Sequence, residues 1–453
     1  MNAELWILED AGRSLWAPFA GTRPIGELLF GTCLLRERLE RWFGEPARGY
    51  LGPERLVGFD EPGSPRLHGT SSAAAPRGGD GSTLRLLLSS RFVPDPADRP
   101  QAARGALASL VDGSRGARPI PIVTGEDRSD APTGVGWLLP PGASLPHSAE
   151  APRLPVPGEE ASGWGSGSAL RLRGELLDGP WSLMARNPDR IRVDLETGLV
   201  AGDSGTDDES DTVRDLRSAG LEGVEFLGPH RVTGGSGVQI DPLVVLDARD
   251  GPIHLSSGVR IHPFTHLVGP AWIGADSSLL GGRIASSSVG PTCKVRGEVE
   301  ASVVLGFSNK AHDGYLGHAV VGRWVNLGAG TTNSDLKNNY SPVRVELGRE
   351  RTVDTGLLKV GVFLGDHVKT GIGMILNTGT VVGAGSNLFG GMMPPRWVPA
   401  YSWGSGDRLV PFQLDRFLEV ARLAMGRRSQ TLPDSMAELL SEHWKQTHGG
   451  RVR

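Results

Sequence analysis

Cysteine is scarce in this chain of 453 residues, in which only Cys33 and Cys293 are present. Two cysteines cannot form a disulfide framework, and neither lies in a CxxC or Cys/His zinc-binding spacing. Lysine is missing from the first 293 residues, because all six lysines follow that point, so lysine chemistry is excluded there. No run of about 18 apolar residues is present, which excludes a membrane-spanning helix of the usual length.

The chain also lacks a strong charge of either sign, with a formal net charge of −4. This balance gives no basic surface for a nucleic acid or an anionic membrane, and we predict neither as a partner. The first residues, Met1–Glu4, lack the basic start and apolar run of a secretory signal. We therefore predict a cytoplasmic protein.

Glycine and proline are abundant, with 65 and 33 residues, and this favours tight, repeated turns. Between residues 358 and 389 similar side chains recur every six residues. A period of six fits neither an α-helix nor a lone strand; it fits short strands separated by corners, three to a coil. We predict a left-handed parallel β-helix of hexapeptide repeats with the periodic residues inside. The repeated positions are Leu358, Leu364, Thr370, Leu376, Val382 and Leu388.

The first part of the chain has a different pattern. Leu5–Leu8 and Leu84–Leu88 are typical of buried strands, and residues 34–43 carry apolar side chains at helical spacing. This order is typical of an α/β domain. Two amphipathic helices are predicted after the repeats. The predicted divisions are an α/β domain at 1–200, a linker at 201–240, the β-helix at 241–395 and a helical cap at 396–453.

Residues 333–357 break the six-residue period. We expect them to leave the solenoid as a loop. Insertions in repeat proteins gather on one face, which is often the binding face.

Two stretches resemble a known family. Ser308–Gly317 contains His-x-x-Tyr-Leu-Gly, and one coil later Asn326–Thr332 contains Asn-x-Gly-Ala-Gly-Thr. These motifs and their spacing resemble the acetyltransferase domain of bifunctional UDP-N-acetylglucosamine pyrophosphorylase/glucosamine-1-phosphate N-acetyltransferases, the GlmU type. With residues 22–24 (Thr-Arg-Pro) added, the chain looks closer still to a bacterial subfamily described as sugar nucleotidyltransferases.

The resemblance implies a sugar-phosphate-directed transferase, with a CoA-dependent N-acyltransferase on the β-helix and a nucleotidyltransferase-like domain before it. It also implies acetyl-CoA as the co-substrate and a sugar phosphate or nucleotide sugar as the partner. Enzymes of this kind work as trimers with active sites between neighbours, so the resemblance implies a homotrimer.

Several site residues are carried over from the family. His312 matches the catalytic histidine, which takes a proton from the sugar amine as the amine attacks the thioester; imidazole suits this because it titrates near neutrality. Tyr315 matches a sugar-binding tyrosine. Ala329, with Gly330 beside it, matches the backbone that meets the thioester end of the cofactor.

Two cationic contacts of the family have no counterpart here. Residues 262–264 read His-Pro-Phe where the family has Arg-Pro-Gly, and the phosphate-contacting lysine falls near residues 301–302, which are Ala-Ser. We expect other residues to bind the substrate in their place. The candidates are Asn309, Lys310 and Lys337, with Arg296 and Arg323 as further cations.

The N-terminal opening resembles a shortened nucleotidyltransferase loop, in which glycine and cationic side chains hold the nucleotide phosphates. Gly12, Arg13 and Arg23 are the candidates for phosphate binding. Ile25 stands where the family has a lysine, and residues 89–91 read Ser-Ser-Arg where it has a magnesium-binding aspartate. We expect Mg²⁺ only if this domain is active. A sugar-nucleotide-binding domain and a purely architectural domain remain alternatives.

Two other functions stay open for the whole chain. One is a non-catalytic binding or assembly module whose site has decayed. The other is a zinc enzyme of the γ-type carbonic anhydrase kind, which shares the solenoid and uses three histidines, although the histidine spacing differs. We predict no metal site. The histidine candidates for zinc are His254, His262, His266, His312, His318 and His367.

Overall fold

The computed structural model describes residues 3–70, 83–97, 119–125, 132–140, 153–156, 169–199 and 213–449. Within these ranges the chain forms an α/β domain, a parallel β-solenoid and C-terminal helices. This confirms the predicted fold class, an α/β domain followed by a left-handed parallel β-helix.

The N-terminal domain is built on a seven-stranded sheet. Its central strand, Ala3–Leu8, runs parallel to Leu84–Ser89 on one side and to Gly49–Gly52 on the other. Leu5 and Ile7 are fully buried on the face that the first helix covers. From edge to edge the strands are Leu170–Arg171, Ile120–Thr124, Thr133–Leu139, Leu84–Ser89, Ala3–Leu8, Gly49–Gly52 and Leu67–Gly69. Two small antiparallel pairs accompany it, Leu29–Phe30 with Cys33–Leu34 and Phe92–Pro94 with Gly174–Leu176.

Four α-helices lie within the described residues: α1 (Leu35–Phe43), α2 (Pro180–Thr197), α3 (Leu414–Gly426) and α4 (Asp434–His448). Helix α2 was not predicted. Its sequence nevertheless carries a start signal, proline at the first turn, and a stop signal, Gly198 in the left-handed conformation with φ of 73°.

The solenoid winds around three sheets, which we call face A, face B and face C. Face A has the strands Arg214–Asp215, Val232–Gly234, Ile253–Leu255, Ala271–Ile273, Ser288–Val289, Val303–Val304, Val320–Val321, Val362–Leu364, Thr380–Val382 and Trp397–Val398. Face B has Val224–Leu227, Val244–Asp247, Thr265–Val268, Gly282–Ala285, Glu298–Glu300 and Tyr315–Gly317. Face C has Gln239–Ile240, Arg260–Ile261, Ser278–Leu279, Lys294–Val295, Asn309–Lys310, Asn326–Leu327, Lys369–Thr370, Asn387–Leu388, Ser402–Ser405 and Arg408–Pro411.

The periodic side chains fill the inside of the solenoid. Leu364, Leu376, Val382 and Leu388 are at most 1% exposed. At many corners a non-glycine residue takes the left-handed backbone conformation, as at His318 with φ of 49°. Such residues are uncommon in proteins. Their recurrence indicates that stacking of the coils imposes the corner geometry.

The predicted insertion leaves the solenoid after Thr332–Asn333, which pairs with Ile375–Leu376. It contains an antiparallel hairpin of Arg344–Glu346 and Thr352–Asp354. The chain rejoins the coil where the Gly361 N–H donates to the carbonyl of His318 at 2.8 Å. Leu358 is 52% exposed. It therefore belongs to the insertion, and the periodic core positions begin after it.

The solenoid extends beyond the predicted limits of 241–395. Val224–Leu227 pairs with Val244–Asp247, so the described part of the predicted linker, residues 213–240, already carries solenoid strands. Trp397–Val398 pairs with face A at the other end. The remainder of that linker, residues 201–212, lies outside the described residues. Backbone pairing defines these end coils, and a six-residue side-chain period alone does not reveal them.

The N-terminal domain packs on the outside of face A. Alternate strand residues point to opposite faces, and here the outward ones are apolar as well. Trp272, Val303 and Phe363 are at most 5% exposed, because they pack against the N-terminal domain, including Trp181 and Leu183 of helix α2.

The C-terminal helices join the two domains. Phe417 of α3 and Leu440 of α4 belong to the same buried cluster as Leu39 of the N-terminal domain and Trp324 of the solenoid. The helices therefore fix face C relative to the N-terminal sheet. No helix within the described ranges is long and apolar enough to cross a membrane.

Candidate functional site

His312 lies on the turn that leads from face C to face B. The turn stacks on the next coil, where the Gly330 N–H donates to the carbonyl of Asp313 at 3.0 Å. The His312 side chain is exposed and opens into a groove of about 270 Å³ between face C and the end of helix α3. The groove, which we call the α3 groove, is lined by Lys294, Asn309, Ala311, His312, Asn326, Leu327, Arg427 and Arg428.

Three cations converge on this groove. Arg428 donates to the carbonyl of Thr292 at 3.1 Å and to Oδ1 of Asn309 at 2.5 Å, which holds its guanidinium at the groove wall. Within the described ranges, no carboxylate pairs with Lys294, Arg427 or Arg428. The groove can therefore hold an anion, and its three cations are available where the two cationic residues of the family motif are missing from the sequence.

Sequence reasoning did not find Arg427 and Arg428. They lie more than 100 residues after His312 in the chain. Helix α3 folds back along face C and brings them to the histidine, so no local motif could reveal them.

An apolar hollow of about 340 Å³ adjoins the α3 groove. The two cavities share Asn309, Asn326, Arg427 and Arg428, which therefore lie at the boundary between them. The walls that belong to the hollow alone are Phe307, Trp324, Val325, Lys369, Val420, Leu423 and Ala424. We call this second cavity the side hollow.

Lys310, predicted to bind substrate, supports the His312 turn instead. Its side chain is buried, and Nζ donates to the carbonyls of His312 at 2.6 Å and Arg296 at 2.9 Å. Burial lowers the pKa of Lys310 to about 8. Asn309 lines the α3 groove, as its predicted role requires, and its amide donates to Asn326 at 3.3 Å.

Ala329 and Gly330 lie on the turn beneath His312, one coil further on. The Ala329 carbonyl accepts from the Gly373 N–H at 2.7 Å, and the Gly330 N–H is used by Asp313. No acceptor within the described ranges takes the Ala329 N–H. A free backbone N–H at this place is the kind of donor that stabilises an oxyanion.

Tyr315 belongs to a hydrogen-bonded cluster on face B that the sequence did not reveal. Its hydroxyl donates to Oδ2 of Asp335 at 2.7 Å, and the same oxygen lies 2.7 Å from Nδ1 of His318. Burial alone would raise the pKa of Asp335, but the bonds from His318 and Tyr315 outweigh it and lower that pKa. Burial and the bond to Asp335 raise the pKa of Tyr315, so the phenol stays protonated.

Lys337 and the two further cations are engaged elsewhere. Lys337 Nζ donates to the carbonyl of Pro342 at 2.6 Å, within the insertion. Arg296 pairs with Asp313 at 3.1 Å, and Arg323 pairs with Glu61 at 3.0 Å. None of the three lines the α3 groove.

In the N-terminal domain, Arg91 occupies the space beside Gly12. Its guanidinium lies 2.7 Å from Asp10, and a Cβ added to Gly12 would collide with it. The Gly12 N–H itself donates to Asp10 at 2.8 Å. The backbone at Gly12 therefore already has a side-chain partner, in the loop where the resemblance places phosphates.

The two arginines predicted to bind phosphate also have internal partners. Arg13 pairs with Glu9 and donates to the carbonyl of Ala20. Arg23 is 1% exposed and lies 2.9 Å from both Asp366 of the solenoid and Glu61. Both guanidinium groups are thus bound to partners within the chain.

Metal binding has no support in the described residues. They contain no group of three or more His, Cys, Asp and Glu side chains that could hold an ion. All six histidines considered for zinc are described, and none belongs to such a group. The carboxylate beside Gly12, that of Asp10, is paired with Arg91 and accepts from the Gly12 N–H, so it does not fit the role of a ligand to a resident Mg²⁺.

Curated relatives match only part of the chain. A bifunctional sugar-1-phosphate nucleotidylyltransferase/acetyltransferase from Sulfurisphaera tokodaii is 34% identical over 99 residues, which are 22% of this chain and 24% of the relative. A bifunctional protein GlmU from Cupriavidus pinatubonensis is 31% identical over 211 residues, 43% of this chain and 40% of the relative. A third, GlmU from Methylibium petroleiphilum, is 33% identical and covers 38% of this chain and 34% of the relative. The chain therefore spans less than half the length of these relatives.

No protein-family model matches the chain. Solved structures with similarity include AntD, an N-acyltransferase from Bacillus cereus, with 13% identity, a TM-score of 0.19, and coverage of 47% of this chain and 98% of AntD. Arabidopsis UDP-N-acetylglucosamine acyltransferase has 14% identity, a TM-score of 0.21, and coverage of 51% and 92%. TM-scores this low carry no argument about function. The sequence matches confirm the resemblance that the motifs indicated: part of this chain is similar to GlmU-type bifunctional proteins.

Proposed function

We propose that the solenoid is a CoA-dependent N-acyltransferase whose acceptor is an amine on a sugar phosphate or nucleotide sugar. The observation that carries this proposal is the α3 groove, in which exposed His312 faces three cations that pair with no carboxylate in the described part of the chain. An imidazole and a phosphate-binding surface in one cavity suit an anionic substrate that must lose a proton. The names of the curated relatives, which include an acetyltransferase activity, agree with this reaction.

In the proposed reaction His312 is the general base. An ammonium group has no lone pair, so the acceptor attacks only as a free amine and loses a further proton as the N–C bond forms. An imidazole accepts that proton near neutral pH. Lys310 holds the carbonyl of His312 and thereby fixes the turn. We assign the free Ala329 N–H, on the turn of the next coil, the role of donor to the developing oxyanion.

The partners and assembly follow as proposals. Acetyl-CoA is the proposed acyl donor, and a homotrimer is the proposed assembly. Phe264 and Ile372 on the solenoid surface are 75% and 78% exposed, and Met392 is 58% exposed. Apolar side chains so exposed favour contact with a neighbouring subunit. The cytoplasmic location stays a prediction.

The test is acyl transfer by the His312→Asn variant, with release of the CoA thiol as the readout. Glucosamine 1-phosphate and UDP- or dTDP-linked amino sugars serve as acceptors. We expect kcat to fall by roughly 10²- to 10⁴-fold, since that is the usual contribution of a general base. Acetyl-CoA binding, followed by calorimetry, is expected to survive the substitution.

His230→Asn is the matched control. His230 lies in one of the first coils, is partly exposed and lines neither cavity. Its variant is expected to keep the wild-type rate. A His312→Asn protein as active as wild type would remove His312 from the mechanism. A wild-type protein that neither binds acetyl-CoA nor transfers an acyl group would favour the non-catalytic alternative.

A further inference from the structure

The cations at the α3 groove differ from the arginines that are buried inside the fold. Arg13, Arg23, Arg36 and Arg38 are all paired with carboxylates inside the fold. Arg427, by contrast, is exposed at the end of α3, and no carboxylate within the described ranges pairs with it. The dipole of a helix favours a cation at its C-terminal end, which accounts for one arginine at the end of α3. It does not explain why three cations, Lys294, Arg427 and Arg428, lie around one groove.

The order of features along the cavity is informative. His312 lines only the α3 groove, Trp324 and Leu423 line only the side hollow, and Arg427 and Arg428 line both. A ligand that fills both cavities therefore has a reacting end, an anionic middle and an apolar or aromatic end, in that order.

The distances within this order are short. Arg428 bonds directly to Asn309, which is three residues before His312 in the same coil. The anionic middle of the ligand must lie close to its reacting end. A sugar joined to a diphosphate satisfies this condition. Coenzyme A does not, because the long pantetheine arm separates its thioester from its diphosphate.

The side hollow suits a heterocyclic base. Its walls are mostly apolar, with Phe307 and Trp324 of the solenoid on one side and Val420 and Leu423 of α3 on the other. The amide of Asn326 and the Lys369 ammonium add a few polar groups. Ligand sites typically combine a largely apolar lining with a few such groups, which fix orientation.

We propose that the acceptor is a nucleotide-linked amino sugar, with its amine at His312, its diphosphate at Arg427 and Arg428, and its base in the side hollow. The assignment rests on the proposed acyl transfer for the role of the amine, but the binding site itself does not depend on turnover. It narrows the acceptor from any sugar phosphate to a nucleoside diphosphate sugar.

The covalent step balances without a further reactant. The acceptor amine forms the N–C bond and the C–S bond of the thioester breaks. Nitrogen gives up one proton to His312 as the bond forms, and the thiolate of the donor takes up one proton. The products are the N-acylated nucleotide sugar and the free thiol.

The experiment is calorimetric titration of the full chain with UDP, dTDP, inorganic pyrophosphate and coenzyme A. We expect the nucleoside diphosphates to bind about tenfold or more tightly than pyrophosphate, because only they fill the side hollow. Arg427→Ser is expected to weaken UDP, dTDP and pyrophosphate by about tenfold, the effect of losing a charge-assisted hydrogen bond.

Two variants separate the cavities. Leu423 is 63% exposed, so Leu423→Trp is compatible with folding and places a ring in the side hollow. It is expected to weaken the nucleoside diphosphates by at least about tenfold and leave pyrophosphate unchanged. Arg422→Ser, on the same helix but outside both cavities, is the matched control and is expected to change neither.

Four outcomes overturn the proposal. Pyrophosphate binding as tight as UDP removes the base from the side hollow. Nucleotide binding that ignores both Arg427→Ser and Leu423→Trp places the nucleotide elsewhere in the chain. Weakening of coenzyme A alone by Leu423→Trp assigns the hollow to the donor's adenine. Acyl transfer to glucosamine 1-phosphate without nucleotide binding contradicts this inference but leaves the proposed function standing. Nucleotide binding without acyl transfer contradicts the proposed function but leaves the nucleotide site standing.

Discussion

At the scale of single residues, Lys369 shows how burial changes the protonation of a lysine that has a structural role. Lys369 donates to the carbonyl of Trp324 at 3.0 Å in the wall of the side hollow, and burial lowers its pKa to about 8 from an ordinary value of 10.5. The sequence shows only a lysine at a strand position on face C. Its burial follows from α3, which covers that strand.

This lowered pKa predicts a pH dependence of stability. Below pH 8 Lys369 is charged in the folded and unfolded chains, so the full cost of its burial is present. Between pH 8 and 10.5 the folded protein loses the proton while the unfolded chain keeps it, and stability rises with pH, by at most about 1.4 kcal/mol per pH unit.

We therefore expect any stability advantage of Lys369→Met over wild type, measured by denaturant unfolding, to shrink as pH rises from 8 to 10.5. Burial raises the pKa of Cys33 and Cys293 to about 12, which acts in the opposite direction, but both proteins share this effect and it cancels. Lys445→Met, at an exposed position on α4, should show no such trend. A constant difference across this range would mean that Lys369 stays charged when folded.

A sequence motif predicts the contacts of single side chains only in part. His312 and Asn309 line the α3 groove, in agreement with their positions in the motif. Lys310 sits next to them in sequence, yet alternation along the strand turns its side chain inward and its ammonium holds backbone carbonyls. A motif places a backbone position; whether the side chain meets a ligand depends on which face of the strand it occupies.

At the scale of elements, the N-terminal loop and the solenoid are joined by a buried ionic network. Arg23 bonds to Glu61 and Asp366, Thr22 donates to Asp366 at 2.8 Å, and Arg323 completes the network through Glu61. Burial would lower the pKa of Arg23, but the two carboxylates outweigh it and raise that pKa, so the guanidinium stays charged.

Arg23→Met tests this network. The substitution leaves the Asp366 and Glu61 carboxylates with one partner fewer in a buried place, which typically costs about 3–5 kcal/mol of unfolding free energy. Chemical denaturation followed by circular dichroism measures the loss. Arg48→Met is the control, since the Arg48–Glu4 pair is on the surface with Arg48 66% exposed, and its loss is expected to cost less than about 1 kcal/mol. Equal losses of unfolding free energy in the two variants would show that the buried network stabilises the fold no more than a surface ion pair does.

The elements themselves were largely predictable. The strand at the start, helix α1, the hexapeptide coils and both C-terminal helices follow from periodicity, which local side-chain patterns record. Helix α2 and the first coils were missed. Helix α2 carries Pro188 in its interior, which opposes a helical interpretation, and the first coils depend on backbone pairing more than on side-chain period.

The candidate site was less predictable than the fold. His312 comes from a motif, whereas Arg427, Arg428 and Asp335 come from segments outside the repeat. Asp335 enters with the insertion, and the arginines enter with α3. Sequence spacing cannot show which insertion folds against which coil, so these contacts appear only in three dimensions.

At the scale of the whole molecule, the two domains contribute unequally to chemistry. Face A is covered by the N-terminal domain, and the candidate site lies on faces B and C. The N-terminal candidates Gly12, Arg13 and Arg23 all face partners from within the chain. The domain thus has a seven-stranded α/β sheet, while the residues predicted to bind phosphate make contacts in its interior and at the interface with the solenoid.

From this arrangement we expect no nucleotidyl transfer by the purified full chain. Incubation with UTP or dTTP, glucosamine 1-phosphate and Mg²⁺ should release no pyrophosphate above background, because Arg91 and Asp10 fill the loop where phosphates would bind. Acyl transfer in the same preparation shows that the protein is folded. Pyrophosphate release that disappears in Arg13→Met would show instead that the loop opens to nucleotides.

The stacking of the coils has a consequence for how such a protein can change over evolutionary time. Each coil packs on its neighbouring coils, on the domain that covers face A and, along part of face C, on the C-terminal helices. The remaining outward side chains on faces B and C are free of the demands of the interior. New substrate preferences can arise from a few outward substitutions, or from a different insertion or terminal helix, without redesign of the core. In this chain His312 lies within the repeat, whereas Arg427 and Arg428, which we propose to bind the substrate, come from the end of a helix outside it.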